Sequence, residues 1–291
     1  MTDFLQLFLS GLATGSIYAV AALGFTLLWQ ASGTINFAQG EFVMLPAFIM
    51  LGFNAIGAPL VVSFVLTCGV AVLVLGWGFK RGIADPLLRF GMMPIVVATI
   101  GLAIAMRSGV RAGFSAEAHP FPSLFADKLF NIAGVTVTLA DIGTLALSLM
   151  LVLGTQAFLA KTVTGRAMQA VAQNTDSATV LGINVPRMIF YTFAVNALLA
   201  CAAALLVTPT YLAKFDMGDS IGLKAFYAAI IGGFNQTRGA LLGGVLVGVL
   251  ENLVGHYFAP AYKEGVALML FLVVILVRPE GLLGKSEERK V

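Results

Sequence analysis

Long apolar runs separated by short polar breaks dominate the chain. Charge-free stretches cover 4–40, 42–79, 90–106, 142–160 and 188–213, and a less continuous apolar region covers 225–277. A helix needs about 20 apolar residues to cross a hydrocarbon core of about 30 Å. Divided by length and at Gly, Pro and Asn, these runs predict segments near 8–29, 36–53, 59–79, 92–110, 139–160, 188–208, 223–234, 239–258 and 262–277. The segment 223–234 is too short to span, which predicts a half-helix.

The composition supports the same fold class. Hydrophobic residues make up 59% of the chain and charged residues only 11%, whereas soluble domains carry about 25% charged residues. The sequence therefore predicts an all-α polytopic membrane protein with about eight to ten transmembrane helices. We expect one transmembrane domain over residues 1–291.

Lys and Arg fall unevenly between the two sides of the predicted membrane segments. If the N-terminus is outside, the larger set faces inside: Lys80, Arg81, Arg89, Lys161, Arg166, Arg187, Arg238, Arg278, Lys285, Arg289 and Lys290. The smaller set faces outside: Arg107, Arg111, Lys128, Lys214, Lys224 and Lys263. The positive-inside rule then predicts an N-terminus outside and a C-terminus inside. Because no basic residue precedes Lys80, we expect the first apolar run to be a retained helix, not a cleaved signal peptide.

Two hydrophilic stretches exceed a simple turn. The outer one, 111–138, is long enough to cap a pore entrance. In the inner one, 161–187, apolar residues recur at helical spacing, which predicts one or two short amphipathic helices. Gly182 is expected to end a helix in the left-handed conformation, and Pro186 to begin the next. Two interpretations remain open for 161–187: an interfacial helix that joins two spans, or a helix that docks a soluble partner.

Two carboxylates, Glu41 and Glu251, are predicted deepest in the membrane. An ionised group there is costly and is usually paired or faces a polar cavity. Proton coupling and a structural or gating role are the alternatives, and the position of Glu41 near a span end favours the second. Asn252 and His256 follow Glu251 closely and predict a local polar network.

Other polar and small residues suggest a pathway or helix packing. Glycines at i, i+4, i+5 and i+9 allow close helix contact, and these are Gly239, Gly243, Gly244 and Gly248. The candidates for a translocation pathway or gate are Asn36, Phe37, Gln39, Gly40, Glu41 and Asn196. Hydrogen bonds between helices explain the polar members of that set, and Thr208, equally well.

The sequence offers little for catalysis. It has no Ser/His/Asp set, metal-ligand cluster or phosphate cradle at useful spacing. Cys68 and Cys201 both lie in apolar runs and are interpreted as small buried hydrophobes. A net charge of +3 is too small to indicate nucleic acid. We therefore expect no enzyme activity, metal or cofactor in this chain.

Four motifs together carry a family resemblance. They are Gly165–Asn174 with Ala178 and Leu181–Asn184, then Gly33–Phe42, then Gly232–Asn235 with Gly239, Ala240, Gly243 and Gly244, and finally Arg278–Gly284. They resemble motifs of the branched-chain amino acid ABC transporter permeases and occur along the chain in the order found in that family. The length and the start of the chain resemble the family's shorter, LivH-type subunit. These motifs cover nearly the whole chain.

The resemblance implies a fold like that of the vitamin B12 and ribose importer permeases. It also implies a heterodimer with a second permease in the bacterial inner membrane, two cytoplasmic ATPases that bind ATP and Mg, and a periplasmic substrate-binding protein. Residues implied to couple to the ATPases are Gly165, Arg166, Ala172, Asn174, Asp176, Ala178, Leu181, Gly182, Ile183 and Asn184. This chain has no Gly-x-x-x-x-Gly-Lys-Ser/Thr run of its own. The implied substrates are branched-chain amino acids, with amides, urea and aromatic carboxylates known for relatives.

Two other function classes compete with this interpretation. A secondary transporter would use Glu41 or Glu251 to couple protons. A structural or channel protein would not need the segment 161–187 for its function.

Overall fold

The apolar runs fold into helices, as a computed structural model shows for residues 2–126, 128–132, 135–234 and 236–284. The helices are α1 (Thr2–Ser32), α2 (Gln39–Ala55), α3 (Leu60–Ala71), α4 (Asp85–Leu88), α5 (Met92–Phe114), α6 (Leu139–Lys161), α7 (Val163–Gln173), α8 (Thr175–Val180), α9 (Val185–Tyr211), α10 (Met217–Gly232), α11 (Thr237–Tyr257) and α12 (Lys263–Val277), and the two strands are β1 (Leu129–Ile132) and β2 (Val135–Thr138). Within these ranges, seven helices are long and apolar enough to cross a membrane. The predicted all-α polytopic membrane fold is confirmed.

One span is longer than the sequence predicts. α3 continues through π-helical turns at Val72–Gly78 and Lys80–Ala84 into α4, which makes one helical span of 29 residues, Leu60–Leu88. The prediction stopped at residue 79 because Lys80 is charged. The Lys80 ammonium donates to both carboxylate oxygens of Asp85, at 2.7 and 2.8 Å, so the charge is paired within the helix.

Each of the nine predicted segments corresponds to a helix or helical span, but two of these are short. α2 has 17 residues and α10 has 16, which gives lengths of about 26 and 24 Å, less than the hydrocarbon core. α2 begins at Gln39 instead of 36, after a non-helical stretch at 33–38. α10 begins at Met217 instead of 223 and so includes Asp219, whose ion-pair partner Arg107 the sequence does not reveal.

The core of the bundle lies around α1 and α9. In the most apolar 18 residues of each span, 89% are buried in α1 and 67% in α9, against 11% in Pro260–Val277. The largely exposed apolar helices therefore surround two central ones. Such outer faces suit lipid or another membrane subunit.

Two sets of four helices make corresponding contacts. One set is α1, α10, α11 and α12, and the other is α9, α2, the span Leu60–Leu88 and α5. α1 packs on α10 and α11, and α9 packs on α2 and on the span Leu60–Leu88. The short helices also correspond, because α2 packs on α3 and α5 just as α10 packs on α11 and α12. In this arrangement the two short helices, α2 and α10, hold corresponding places and contact each other.

The segment predicted as an outer loop contains a β-hairpin. α5 extends to Phe114, so the connection to α6 begins at residue 115, and β1 pairs antiparallel with β2 from Leu129↔Thr138 to Ile132↔Val135. His119 and Ala213 exchange two backbone hydrogen bonds of 2.9 and 3.0 Å, which join this connection to the segment after α9. The sequence-based prediction did not include the strands. Asp127, Ala133 and Gly134 lie outside the described residues.

The segment between α6 and α9 forms two short helices, α7 and α8, as predicted. Thr162, Asn174 and Asn184 cap the N-termini of α7, α8 and α9 with their side-chain oxygens. Gly182 has a φ of +78°, and Pro186 lies in the first turn of α9, both as expected. Lys161 belongs to α6, which shortens the predicted inner loop by one residue at its start.

The predicted orientation rests on a smaller set of basic residues than the sequence suggested. Arg107 and Lys224 lie within α5 and α10, so neither is an outer-loop residue. In the inside set, Lys80 and Arg81 likewise lie within the span Leu60–Leu88, and Lys161 lies within α6. Lys285, Arg289 and Lys290 lie outside the described residues. The orientation stays a prediction.

Candidate translocation site

The N-terminal ends of the two short helices meet inside the bundle. A Cβ atom on Gly222 of α10 would lie 2.9 Å from the Cα of Gly40 in α2, and one on Gly218 would lie 2.9 Å from the Gly40 carbonyl carbon. A real Cβ atom does not fit at such distances. The backbones of α2 and α10 therefore cross in direct contact, which only glycine permits.

The two helices begin with the same short motif. Phe37-x-x-Gly40-Glu41 leads into α2, and Phe215-x-x-Gly218-Asp219 leads into α10. Each motif places a carboxylate in the first turn of its helix. A helix N-terminus carries partial positive charge and stabilises an acidic side chain there.

A guanidinium from a third helix joins the two carboxylates. Nη2 of Arg107 in α5 donates to Oε1 of Glu41 at 2.8 Å and also to Oδ1 of Asp219. The Glu41 side chain is only 2% exposed, whereas that of Arg107 is 28% exposed and that of Asp219 is 52% exposed. Oε2 of Glu41 and Nε of Arg107 are buried and have no hydrogen-bond partner among the described residues. We call Glu41, Arg107 and Asp219 the ion cluster.

The ion cluster lines a cavity of about 300 Å³. Its other walls are mainly apolar and come from α1, α2, α5 and α10 and from Phe37, which precedes α2: Phe25, Phe37, Gly40, Ile100, Ala103, Ile104, Gly218, Gly222, Leu223, Phe226 and Tyr227. The cavity therefore combines one polar end with an aromatic and aliphatic wall.

A second polar contact fixes the start of α2 against α9. Nε2 of Gln39 donates to Oδ1 of Asn196 at 2.7 Å, and Nδ2 of Asn196 donates to Oε1 of Gln39 at 3.2 Å. Both side chains are buried. Gly24 of α1 faces this pair, and a Cβ there would lie 2.6 Å from Nε2 of Gln39.

The remaining pathway candidates have different surroundings. Asn36 accepts a hydrogen bond from the backbone N–H of Ala38 at 3.0 Å, while its own amide nitrogen is buried without a partner among the described residues. The Phe37 side chain is 45% exposed, and its backbone N–H donates to Oγ1 of Thr99 at 3.2 Å. Thr208 instead donates to the Ala204 carbonyl of its own helix at 2.6 Å.

Glu251 belongs to a separate buried ion pair. The Lys224 ammonium donates to Oε1 of Glu251 at 2.7 Å, and the Tyr18 hydroxyl donates to Oε2 at 2.9 Å. These bonds join α1, α10 and α11. Both oxygens of Glu251 thus have hydrogen-bond partners, and the residue does not line the cavity beside Glu41.

The predicted network of Glu251 with Asn252 and His256 is wrong. Asn252 donates to the Gly248 carbonyl at 3.2 Å and to Thr14 at 3.4 Å. The ring of His256 packs edge-on against Tyr257. Neighbours along a helix point to different sides, so sequence proximity alone does not bring these groups together.

The sequence-based prediction did not include Arg107, Asp219 and Lys224 as site residues. It counted the two cations among the basic residues that face outside, although the predicted segments 92–110 and 223–234 contain them. The repeated Phe-x-x-Gly-acid motif was the available signal, since it places Asp219 in the same local position as Glu41.

The four glycines of α11 lie in helix contacts. Gly239 faces Gly232, and Gly243 faces the Ala228 carbonyl, both in α10. A Cβ on Gly244 would lie 2.7 Å from the Cα of Ala19 in α1. Gly248 packs on the backbone of α1 at Gly11 and Gly15, so that α11 fits closely between α1 and α10.

The predicted coupling residues divide into packed and exposed groups. Of the predicted set, Gly165 and Ala178 are buried, as are Met168 and Val171 of α7, which were not in that set, and a Cβ on Gly165 would lie 2.5 Å from the Cα of Leu159. Arg166, Asn174, Asp176, Leu181, Gly182 and Asn184 are exposed, and Ala172 and Ile183 are half-buried. Asn174 and Asn184 have clear structural roles as helix caps.

Two large apolar side chains project where α8 ends. Val180 is 88% exposed and Leu181 is 76% exposed. Beside Asp176 they form a small surface with an apolar centre and an acidic edge, which we call the α8 tip: Asp176, Val180 and Leu181.

Comparisons with known proteins agree with this architecture. The family model for the permease component of branched-chain amino acid transport systems matches residues 7–275. The chain is 31% identical to the high-affinity branched-chain amino acid transport system permease protein BraD of Pseudomonas aeruginosa, over 99% of this chain and 98% of BraD. It is 32% identical to the corresponding LivH of Escherichia coli K12, over the same shares. The ribose import permease protein RbsC of Haemophilus influenzae is 25% identical over 90% of this chain and 81% of RbsC. No solved structure matches the chain.

Proposed function

The chain belongs to the family of branched-chain amino acid transport permeases, and we propose that it forms one half of the pore of an ATP-driven importer. It would alternate access to the two membrane sides while separate subunits hydrolyse ATP. The substrates would be branched-chain aliphatic amino acids, since that is the class named for BraD and LivH.

The ion cluster is the observation that carries this proposal. It lies at the crossing of two helices too short to span, and it borders a cavity between α1, α2, α5 and α10. In membrane transporters, substrate sites typically form where interrupted helices begin near the bilayer midplane. This arrangement is more typical of a transporter with a translocation pathway than of a purely structural membrane protein.

The exposure of the cluster indicates which face meets the pathway. Asp219 is half exposed, and Ile104 and Leu223 beside it are 59% and 53% exposed. A carboxylate facing lipid at this depth is costly, so such groups normally face protein or a water-filled cavity. We therefore assign this face to the contact with a second permease subunit, with the pathway between the two.

The α8 tip is the proposed contact with the ATPases. Exposed apolar residues on a short surface helix fit a groove in a soluble partner. The packed residues below it, Met168, Val171 and Ala178, would transmit movement to α6 and α9, on which α7 rests. ATP and Mg would bind in those partners, and this chain would need no cofactor of its own.

The same assembly predicts where a periplasmic binding protein would contact this chain. With the N-terminus outside, the connection 115–138 and the segment joined to it through His119 and Ala213 would face a periplasmic binding protein. The α8 tip would then lie on the cytoplasmic side of a bacterial inner membrane.

The proton-coupled alternative has less support. Glu251 is held by Lys224 at 2.7 Å, and Glu41 is held by Arg107 at 2.8 Å. Each carboxylate is thus held by a cation on another helix, which favours a role in packing or gating over proton transfer.

Purification with partners tests the proposal. The chain would be solubilised in mild detergent from its native membrane, captured by a tag, and analysed by mass spectrometry and an ATPase assay. Recovery of a second permease and two ATP-binding subunits, with hydrolysis stimulated by a periplasmic protein, is the expected result. Recovery of the chain alone, with uptake that follows the proton gradient, would instead support the secondary transporter.

A further inference from the structure

We propose that the groove between α2, the span Leu60–Leu88 and α5 binds one anionic phospholipid. An acyl chain of the lipid lies in the groove, and the phosphate of its headgroup meets the guanidinium of Arg81 at the end of the groove. This site goes beyond the proposed transport function and does not depend on it. It is separate from the ion cluster, although both border α2.

The groove is a large apolar cavity on the side of the bundle. Its volume is about 470 Å³, against about 300 Å³ for the cavity at the ion cluster, and its lining consists of aliphatic and aromatic residues and one glycine. Most of the lining comes from 73–83, where the span passes through π-helical turns. Such turns are rare and frequently lie at functional sites.

The groove is open toward the hydrocarbon of the membrane. On its wall, Leu73 is 61% exposed and Trp77 is 51% exposed, whereas Phe42 of α2, which also lines it, is fully buried. An empty groove would lose dispersion contacts along its lining, and an acyl chain restores them. Because Phe42 directly follows Glu41, the lipid would also pack against the start of α2, which carries part of the ion cluster.

A cation without a carboxylate partner lies at one end of the groove. Arg81 follows Trp77 by four residues, which places both on the same side of the helix. Arg81 is exposed and has no ion pair or hydrogen bond among the described residues. Its neighbour Lys80, in contrast, pairs with Asp85 within the span.

The position of Arg81 suits a phosphate at the membrane surface. Counted from Leu60, where the span begins, it lies roughly 30 Å along the helix, which equals the thickness of the hydrocarbon core. Arg89, at the turn into α5, donates to the Pro86 carbonyl at 2.9 Å and has no carboxylate partner in the part of the chain that the structure describes. Basic pockets between membrane helices bind anionic lipid headgroups. The charge at this end of the groove therefore favours an anionic lipid over a neutral one.

The groove lies on a different side of α5 from the surface assigned to the second permease. Ile100 and Ile104 line the cavity at the ion cluster. Leu102 and Met106 line the groove. Residues two positions apart point to nearly opposite sides of a helix. A phospholipid can therefore occupy the groove while the second permease is bound.

Quenching of tryptophan fluorescence tests this site. The chain has two tryptophans, and in a Trp29→Phe variant only Trp77, on the groove wall, remains. The full chain carrying this change is purified in mild detergent and placed in phosphatidylcholine bilayers. Phosphatidylglycerol with brominated acyl chains, which quench tryptophan on contact, is compared with phosphatidylcholine that carries the same brominated chains.

We expect phosphatidylglycerol to quench Trp77 at a membrane fraction roughly fivefold lower than phosphatidylcholine, because a basic side chain near the surface favours an anionic lipid by about that factor. Arg81→Gln should remove most of this preference. Arg238→Gln, at an exposed arginine in the first turn of α11 and away from the groove, is the matched control and should keep it.

Filling the groove gives a second, independent variant. Val74→Phe, at a position that lines the groove, should reduce quenching by phosphatidylglycerol. Val65→Phe, at a 63% exposed position of the same span outside the groove, should not.

Equal quenching by the two lipids would overturn the proposal, as would equal effects of Arg81→Gln and Arg238→Gln. If Val74→Phe left quenching unchanged but lowered the recovery of a second permease, the groove would be a subunit contact and not a lipid site. If Trp29→Phe fails to fold, mass spectrometry of lipids retained by the otherwise unaltered chain replaces quenching. Arg81→Gln should then lose phosphatidylglycerol that Arg238→Gln retains, and equal retention would contradict the site. Copurification of ATPases tests the transport function separately from all of these outcomes.

Discussion

The backbone of Gly40 in α2 lies directly against that of Gly218 in α10. A Cβ on Gly40 would be 2.8 Å from the carbonyl carbon of Gly218 and even closer to its oxygen. This contact brings Glu41 and Asp219 within reach of one guanidinium on α5. The position of the proposed site thus depends on two glycines that have no chemistry of their own.

Gly40→Ala should therefore separate α2 from α10. Overpacking a close contact typically costs about 1–3 kcal/mol, so we expect a lower Tm in detergent and reduced uptake. Gly101→Ala on α5, where a Cβ would meet nothing within 4 Å, is the control and should be neutral or slightly stabilising. Fluorescence-detected thermal unfolding of both variants measures the difference. An equal Tm for the two would contradict the direct contact.

The Lys224–Glu251 pair should be sensitive to loss of either partner alone. Lys224→Met or Glu251→Gln leaves one uncompensated buried charge, which costs about 3–5 kcal/mol. The double variant removes both charges and keeps an acceptor for Tyr18, so it should be more stable than either single variant. A double-mutant cycle on thermal stability measures this coupling, with exposed Lys214→Met as a near-neutral control. Additive single effects would exclude a direct ion pair.

Uptake by the Glu251→Gln variant separates two functions. If the residue is structural, the variant that still assembles should keep ATP-dependent transport. A secondary transporter would lose its dependence on the proton gradient. Uptake into vesicles with and without a proton uncoupler distinguishes these outcomes.

The Gln39–Asn196 pair should stabilise the start of α2. Asn196→Leu keeps a similar size but leaves the buried Gln39 amide unpaired, which costs about 1–3 kcal/mol. The double variant with Gln39→Leu should recover part of that loss, because no polar group then remains unpaired. Asn252→Leu, which loses longer and partly exposed hydrogen bonds of 3.2 and 3.4 Å, should have a smaller effect. A larger loss for Asn252→Leu in thermal unfolding would contradict this ranking.

The α8 tip should determine ATPase association. Replacing Val180 and Leu181 with Asp should lower ATPase copurification by about tenfold or more, because central apolar contacts dominate such interfaces. Thermal stability should change by less than about 0.5 kcal/mol, since both side chains are exposed. Ile56→Asp, 79% exposed in the turn between α2 and α3, is the matched control. Normal recovery of the ATPases with the double variant would show that the α8 tip is not their contact site.

The sequence alone located most of the fold. The nine segments predicted from the length and spacing of the apolar runs each correspond to a helix or helical span, and seven of these are long enough to cross a bilayer. The two short helices of the segment 161–187, the left-handed Gly182 and a helix start next to Pro186 also followed, because helical periodicity and local backbone preferences determine them. The family resemblance rested on motifs that are contiguous in the chain.

Contacts between distant segments were decided only by the tertiary structure. Arg107 and Lys224 were counted only as basic residues that face outside. The packing of the helices then showed that each has a carboxylate partner from another helix. The network expected around Glu251 was wrong because residues adjacent in sequence point to different sides of a helix. The sequence was enough to select Glu41 as a candidate site residue. It did not predict that Arg107 contacts both Glu41 and Asp219. Hydropathy measures how well one segment tolerates lipid, whereas an ion cluster depends on which side chains meet across three helices.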